Sequence, residues 1–238
     1  MTAPGVESTS TLSCVVAYNE FGGYCIPNSS HHRPAAQAVL NGNVWERETI
    51  EYLTSHRGGG DVVHAGTYFG DALPALSRAC SSGSKVWAFE PNPENHLCAS
   101  VTVLLNRLDN VQLTNAGLGS GEGTAAMLTS DTDGRSLGGA SRILAEAEPG
   151  ESRSTESIRM VSIDEIVPAQ RTVSLLHLDV EGYEKSALAG ALGTIERCRP
   201  ILVLETLPED PWFTDVILGM GYEVSGKTDA NSVLTVQR

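Results

Sequence analysis

The sequence predicts an α/β chain in three layers, a largely parallel sheet with helices on both faces. Three observations carry that reading. Short apolar runs at 61–65, 85–89, 173–178 and 200–204 alternate with stretches of helical spacing. The first run ends in a glycine turn, H-A-G-T-Y-F-G-D at 64–71, and a helical stretch leads to the second, which ends in an acid, Glu90. Polar groups also gather at the C-terminal ends of the runs, where ligands of doubly wound sheets lie.

Taken in order, the polar, Ser/Thr-rich residues Met1 to Ser10 read as disordered. Leu12 to Tyr18 and Tyr24 to Pro27 read as short strands. His31 and His32, next to Pro34, fall in a loop: adjacent histidines in regular structure cannot turn both rings to one metal ion. Ala35 to Leu40 is a short helix ended by Asn41-Gly42-Asn43, and Val44 to Leu53 a second one. Gly58-Gly59-Gly60 is a joint, so residues 1–60 form an N-terminal lobe contributing to the site and 61–238 the main domain.

Asp61 to Ala65 is the first central strand. Asp71 to Cys80 follows as a helix, with Asp71 as N-cap and Leu73 and Leu76 facing the sheet. Lys85 to Phe89 is the second strand. Asn92-Pro93-Glu94 opens the next helix with a cap, a proline in the first turn and an acid at the positive end of the dipole. Leu97, Val101, Leu104 or Leu105, and Leu108 then repeat at helical spacing as core. Asn110 to Leu113 is a third strand. Asp131 to Ser157 is Gly/Ser/Glu-rich and poorly periodic, a lid or a mobile insertion. Val173 to Leu178 is the fourth central strand, Tyr183 to Arg197 a helix with Leu188, Leu192 and Ile195 inward, and Pro200 to Thr206 a buried fifth strand. Trp212 to Met220 is a helix stopped by Gly221, and Tyr222 to Val224 with Val233 to Val236 form a closing hairpin.

At 238 residues the length suits one α/β domain. The formal net charge of -13 argues against nucleic acid and against an anionic membrane as partners. It suits a cationic small molecule, or simply keeps the chain soluble. Five scattered cysteines, with no C-x-x-C pair, read as free thiols of a reducing compartment. No apolar run is long enough to span a bilayer and the first ten residues lack a signal-peptide pattern, so the expectation is a cytoplasmic protein. A homodimer is the oligomer expected.

The β-turn-α-β unit reads as a nucleotide site. Gly66 and Gly70 let the backbone turn and approach a ligand, and Glu90, about twenty residues on, is placed for a ribose diol. The third glycine of the dinucleotide fingerprint is missing, since Asp71-Ala72-Leu73 follows Gly70, which disfavours a nicotinamide cofactor. The H-x-G-x-x-G-D turn and F-E-P-N-P look instead like a site for S-adenosylmethionine (SAM).

With Glu46, those two motifs, L-D-V-E-G-Y-E at 178–184 and C-R-P-I-L-V-L-E at 198–205 in order, the chain resembles the FkbM family of SAM-dependent methyltransferases over roughly 42–205. The resemblance implies a Rossmann-like class I methyltransferase fold with a seven-stranded, mostly parallel sheet. It also implies SAM over the ends of the first three central strands and a small sugar or natural-product acceptor. In this chain His64 replaces the family's usual Asp, Thr67 and Tyr68 replace a small residue and Asn, and His177 stands where lysine is frequent. The cofactor set is then His64, Gly66, Tyr68, Gly70, Glu90, Asn92, Asn115 and Asp179. Asp179, Glu181 and His177 are the catalytic candidates, and Glu181, Glu205 and Tyr183 the substrate-binding ones.

Glu181 and Glu184 have a plainer reading, as acids stabilising a helix start. A ring of acids in so acidic a chain favours a polycationic amino sugar, methylated at nitrogen as in aminoglycoside antibiotic biosynthesis. A sugar or polyketide hydroxyl is the alternative acceptor, and non-catalytic SAM binding the third reading. Asp179 and Glu181 have the chemistry to hold a divalent metal, but an amine acceptor needs none, so no metal is expected.

Overall fold

The computed structural model describes residues 11–144 and 154–237. Met1 to Ser10, and the middle of the 131–157 segment, lie outside the described residues. The chain opens with an antiparallel hairpin, β1 (Cys14–Asn19) and β2 (Gly22–Pro27), followed by α1 (Pro34–Leu40) and α2 (Arg47–His56). Next come β3 (Asp61–Ala65), α3 (Leu73–Ala79), β4 (Val86–Phe89), α4 (Pro93–Asn106) and β5 (Val111–Thr114). An excursion follows, made of β6 (Gly117–Leu118), β7 (Gly123–Leu128), β8 (Arg142–Leu144) and β9 (Thr155–Val161). The chain returns through α5 (Ile163–Ile166), β10 (Val173–Leu178), α6 (Glu184–Ala189), α7 (Leu192–Cys198) and β11 (Ile201–Leu204). It ends in a π-helical turn (Phe213–Ile217) and the hairpin β12 (Tyr222–Thr228) and β13 (Asn231–Val236).

The main sheet has seven strands in the order β12-β13-β11-β10-β3-β4-β5. The five from β11 to β5 are parallel and β13 runs antiparallel to both its neighbours. This is the α/β architecture that the alternating pattern predicts. Because successive strand residues point to opposite faces, Val63, Phe89, Leu176, Leu178 and Leu204 pack with α6 and α7 on one side. Val62, Ala88, Leu175 and Val203 pack with Leu53, Leu73 and Leu76 on the other. The strands are apolar throughout because both faces are covered.

The N-terminal edge of β3 is sealed. Buried Asp61 accepts hydrogen bonds from Arg171 Nε at 2.7 Å, Trp87 Nε1 at 2.8 Å and the Lys85 N–H at 2.9 Å. Burial alone would raise its pKa, but these donors hold the carboxyl below the usual range. The opposite edge is left for the site.

Four expectations need correction. On α4 the buried stripe is Asn95, Cys98, Ala99 and Thr102, while Leu97, Leu104 and Leu105 are exposed, Leu104 by 75%; of the expected stripe only Leu108 is buried, with Val101 partly so. The reason is that α4 lies under the β1–β2 hairpin through polar contacts: Thr102 Oγ1 accepts from the Cys25 N–H at 3.0 Å and donates to Phe69 O at 2.8 Å. Asp71 is not the cap of α3, which has no side-chain cap and starts after Ala72. The expected helix from Tyr183 breaks at Gly190, where a Cβ would stand 2.0 Å from Gly119 O. Lastly, the 131–157 segment is partly sheet, since β8 and β9 pair with β7, and Gly138–Ser141 folds back toward the main sheet.

The N-cap at Asn92 does form. Its Oδ1 accepts from the N–H groups of Glu94 at 3.0 Å and Asn95 at 3.2 Å. Asn92→Ala should therefore lower stability by about 1 kcal/mol, read from urea unfolding. No described helix is long and apolar enough to cross a membrane.

Candidate functional site

Two adjoining cavities lie over the C-terminal ends of β3, β4, β10 and β11. The larger, about 220 Å³, is lined by Glu46, Asp71, Asp179, Glu181 and Glu205, with Arg33 as its lysine- or arginine-type cation and with His64, His177 and Tyr68 in its wall. The smaller, about 30 Å³, is an apolar slot of Phe89, Pro91, Ala116, Leu118, Met127 and Ile143, edged by Glu90. Gly66, Gly139, Asp179 and Glu181 line both, so the two connect across the end of β3.

Each acid is delivered by a strand end or a sharp turn. Asp179 follows β10, its N–H donating to Ala65 O at 3.2 Å, and Glu205 follows β11, its N–H donating to Leu178 O at 3.0 Å. Glu46, Tyr68 and Glu181 adopt left-handed backbone, with φ of 45°, 51° and 54°. Such conformations cost of order 1 kcal/mol or more in non-glycine residues, and they cluster at functional sites. Gly66, at φ 82°, lets β3 end against β10, since a Cβ there would stand 1.8 Å from Asp179 O. Its requirement is thus set by the chain's own backbone.

The electrostatics follow from crowding like charges in a half-buried chamber. Burial pushes Asp71 up to about 7 and Glu181 up to about 7, with Glu46 adding to the first and Glu205 to the second. Burial, then Glu205, raises Asp179 well above the carboxylate range, and burial, then Asp229, raises Glu46. Carboxylate oxygens of Asp179, Glu181 and Glu205 come within 4.8 Å of one another, close enough to share one cation. Without a cation the cluster holds protons instead.

Glu90 sits apart. Its Oε2 accepts from the Tyr68 N–H at 2.7 Å and its Oε1 from the Asn92 N–H at 2.9 Å, while burial lifts its pKa to about 8. The carboxyl thus braces the two loops while it edges the slot. Folded-state pKa values above the unfolded ones give stability that is present below about pH 4 and lost as pH rises through about 7 to 8. Thermal unfolding of the ligand-free chain should accordingly drop by a few degrees between about pH 7.5 and pH 9, where the imidazoles are neutral in both states and Glu90 is losing its proton.

Among the residues singled out from sequence, His64, Gly66, Tyr68, His177, Asp179, Glu181 and Glu205 line the chamber and Glu90 the slot. Four lie outside both cavities. Gly70 packs its Cα toward Leu73 and Thr102. Asn92 is spent on its cap. Asn115 Nδ2 donates to the backbone oxygens of Glu90 at 2.8 Å and Pro91 at 3.2 Å. Tyr183 packs against the Met127, Ile158 and Met160 cluster. Conversely Glu46, Asp71, Thr49 and Arg33 line the chamber without having been assigned to it. The signal for Asp71 was its place straight after the glycine turn.

The segment 138–141 closes the slot. Asn95 Nδ2 donates to Gly138 O at 3.2 Å, Ser141 Oγ to the same oxygen at 2.8 Å, and Gly139 stacks on Tyr68. A purine is far larger than the space left.

Comparison with curated protein sequences finds no match. Among solved structures, the methyltransferase FkbM of Methylobacillus flagellatus KT is 19% identical with a TM-score of 0.50, over 74% of this chain and 43% of that one. This chain thus spans less than half of that relative's length. A methyltransferase from Geobacter sulfurreducens is 18% identical over 82% and 81% of the two chains, TM-score 0.46. A SAM-dependent methyltransferase from Aquifex aeolicus is 14% identical over 79% and 86%, TM-score 0.40. The Methyltransferase FkbM domain matches residues 64–224, from the end of β3 to the start of β12 and so across most of the strand ends that build both cavities. With two thirds of its residues inside that match, the chain belongs to the FkbM family of SAM-dependent methyltransferases.

Proposed function

We propose that the chain moves a methyl group from SAM to an amino group of a small polycationic acceptor, of the aminoglycoside kind. The observation that supports this reading is the chamber itself, where the described residues set five carboxylates against one guanidinium. A neutral polyketide gives no reason for so many acids, whereas an amino sugar brings a positive charge for each.

The donor set fits SAM. The apolar slot suits a flat heteroaromatic ring, the Glu90 carboxyl at its edge suits a diol, and the chamber adjoining Gly66 has room for a charged tail. Entry of the ring requires 138–141 to swing outward, which fits a segment whose main side-chain ties are the bonds of Asn95 and Ser141 to Gly138 O. When bound, SAM supplies a methyl group on a sulfonium, a carbon already activated for in-line displacement.

The chain's own residues then have three tasks. Asp179 and Glu205 hold the acceptor's ammonium groups and orient the nitrogen. Glu181, with a pKa raised to about 7 by burial and Glu205, takes the proton that must leave the nitrogen before it can attack. The closing segment excludes water from the reacting atoms.

Mass analysis of products from kanamycin and from its deaminated analogue tests the reading. Methyl transfer to the amine alone, undiminished by excess EDTA, is expected; equal transfer to both would favour an O-methyltransferase. Because the free acids hold protons near neutrality, kanamycin binding should also release protons to buffer, measured by calorimetry in buffers of differing ionisation heat.

A further inference from the structure

One buried polar atom in the chamber wall has no partner among the described residues: His64 Nε2. His64 is 3% exposed and lies opposite His177 in the β3–β10 ladder, the rings nearly parallel with centroids 5.0 Å apart. The two Nδ1 atoms are 2.8 Å apart, so one of them donates to the other. Which one does is fixed from the far side. Thr49 Oγ1 donates to Asp229 Oδ2 at 2.9 Å and accepts from Asn231 Nδ2 at 3.3 Å, which turns Asn231 Oδ1 toward His177 Nε2 at 3.4 Å. An oxygen acceptor there requires the proton on His177 Nε2. In a neutral ring, His177 Nδ1 is then bare, His64 Nδ1 carries the proton that bridges them, and His64 Nε2 is left as a lone pair. Burial, which pulls both imidazoles below their ordinary range, is consistent with two neutral rings.

We propose that His64 Nε2 is a ligand-binding acceptor, its tautomer locked by the chain Asp229–Thr49–Asn231–His177, and that it receives an N–H of a charged amine in the chamber. A buried acceptor left unpaired is costly, and the cost is recovered only when a donor arrives. The chamber's acids favour a cationic donor. This deepens the function proposed above and rests on it. The amine has two sources, the α-ammonium of the methyl donor and an amino group of the acceptor.

Ring nitrogen-15 spectra of the full chain, assigned with His64→Phe, separate them. In the free protein His64 should show a protonated Nδ1 and a pyridine-type Nε2. An Nε2 resonance that moves with S-adenosylhomocysteine, but not with its deamino analogue, supports the donor's ammonium; one that moves only with kanamycin supports the acceptor. His64→Phe, which keeps the stacked ring, should weaken the ligand so identified by about 10- to 100-fold, the usual range for a lost hydrogen bond to a charged group. A protonated Nε2 in the free protein, or a resonance unmoved by all three compounds, would overturn the proposal, and the wild-type spectra decide this even if the variant does not fold. Methylation of kanamycin with an unmoved Nε2 would overturn this assignment alone and leave the proposed function standing.

Discussion

Gly66→Ala should cost more than about 4 kcal/mol of folding free energy, enough to leave little folded protein in a domain of ordinary marginal stability. Two penalties combine. The residue has φ 82°, which an alanine adopts only at a cost of about 1–2 kcal/mol. In addition the new Cβ would stand 1.8 Å from Asp179 O and 2.9 Å from its carbonyl carbon, both backbone atoms on the neighbouring strand end. Relief requires β3 and β10 to part where Asp179 N–H meets Ala65 O. Gly182→Ala is the matched control: its φ is 90°, but nothing lies within 4 Å of the added carbon. It should lose only the backbone part, about 1–2 kcal/mol. Urea unfolding of the two variants measures the difference directly, and equal losses would show that the close approach to Asp179 carries no weight.

That contrast shows where sequence reasoning reached and where it stopped. The four inner strands were legible because strands covered on both faces must be apolar along their whole length, as Val62-Val63 and Leu175-Leu176 are. The acid-bearing strand ends followed from them. The reason for Gly66 was not legible: a glycine turn looks alike whether a ligand or another strand's carbonyl occupies the missing Cβ, and only the register of β3 with β10 tells them apart. The α4 stripe failed because Thr102 and Asn95 are buried through hydrogen bonds to distant loops, which helical periodicity of apolar residues cannot register. The strands β7 and β9 were missed because their pairing joins residues about thirty apart through a Gly/Ser-rich stretch with weak alternation. Asp71 looked like a cap since a capping acid and a cavity acid both follow a turn and precede a helix. The chamber as a whole needed the fold, because Arg33, Glu46, Asp71 and Glu205 come from four separate segments.

Asp179→Asn should raise the stability of the ligand-free chain while removing most of its turnover. The aspartate stands among Glu46, Glu181 and Glu205, and burial together with Glu205 already holds its carboxyl protonated well above the usual range. An asparagine keeps the size and ends the repulsion. Stability should gain about 1 kcal/mol or more near pH 8, where the unfolded aspartate is ionised while the fold penalises its charge, and the gain should shrink toward about pH 4, where the unfolded aspartate takes up its proton too. Activity should move the other way. Without the charge that Asp179 takes up when a cation binds, the acceptor's ammonium loses its central partner. A fall in kcat/KM of about 100-fold or more is expected, the scale for losing the group that positions the reacting nitrogen. Opposite signs in the two measurements, thermal unfolding at both pH values and steady-state methylation of kanamycin, are the signature of a cluster whose charge is kept for a ligand at the expense of the fold. A variant that is less stable at pH 8 and retains full activity would mean that Asp179 is there to hold β10 against β3, and that the cation sits elsewhere.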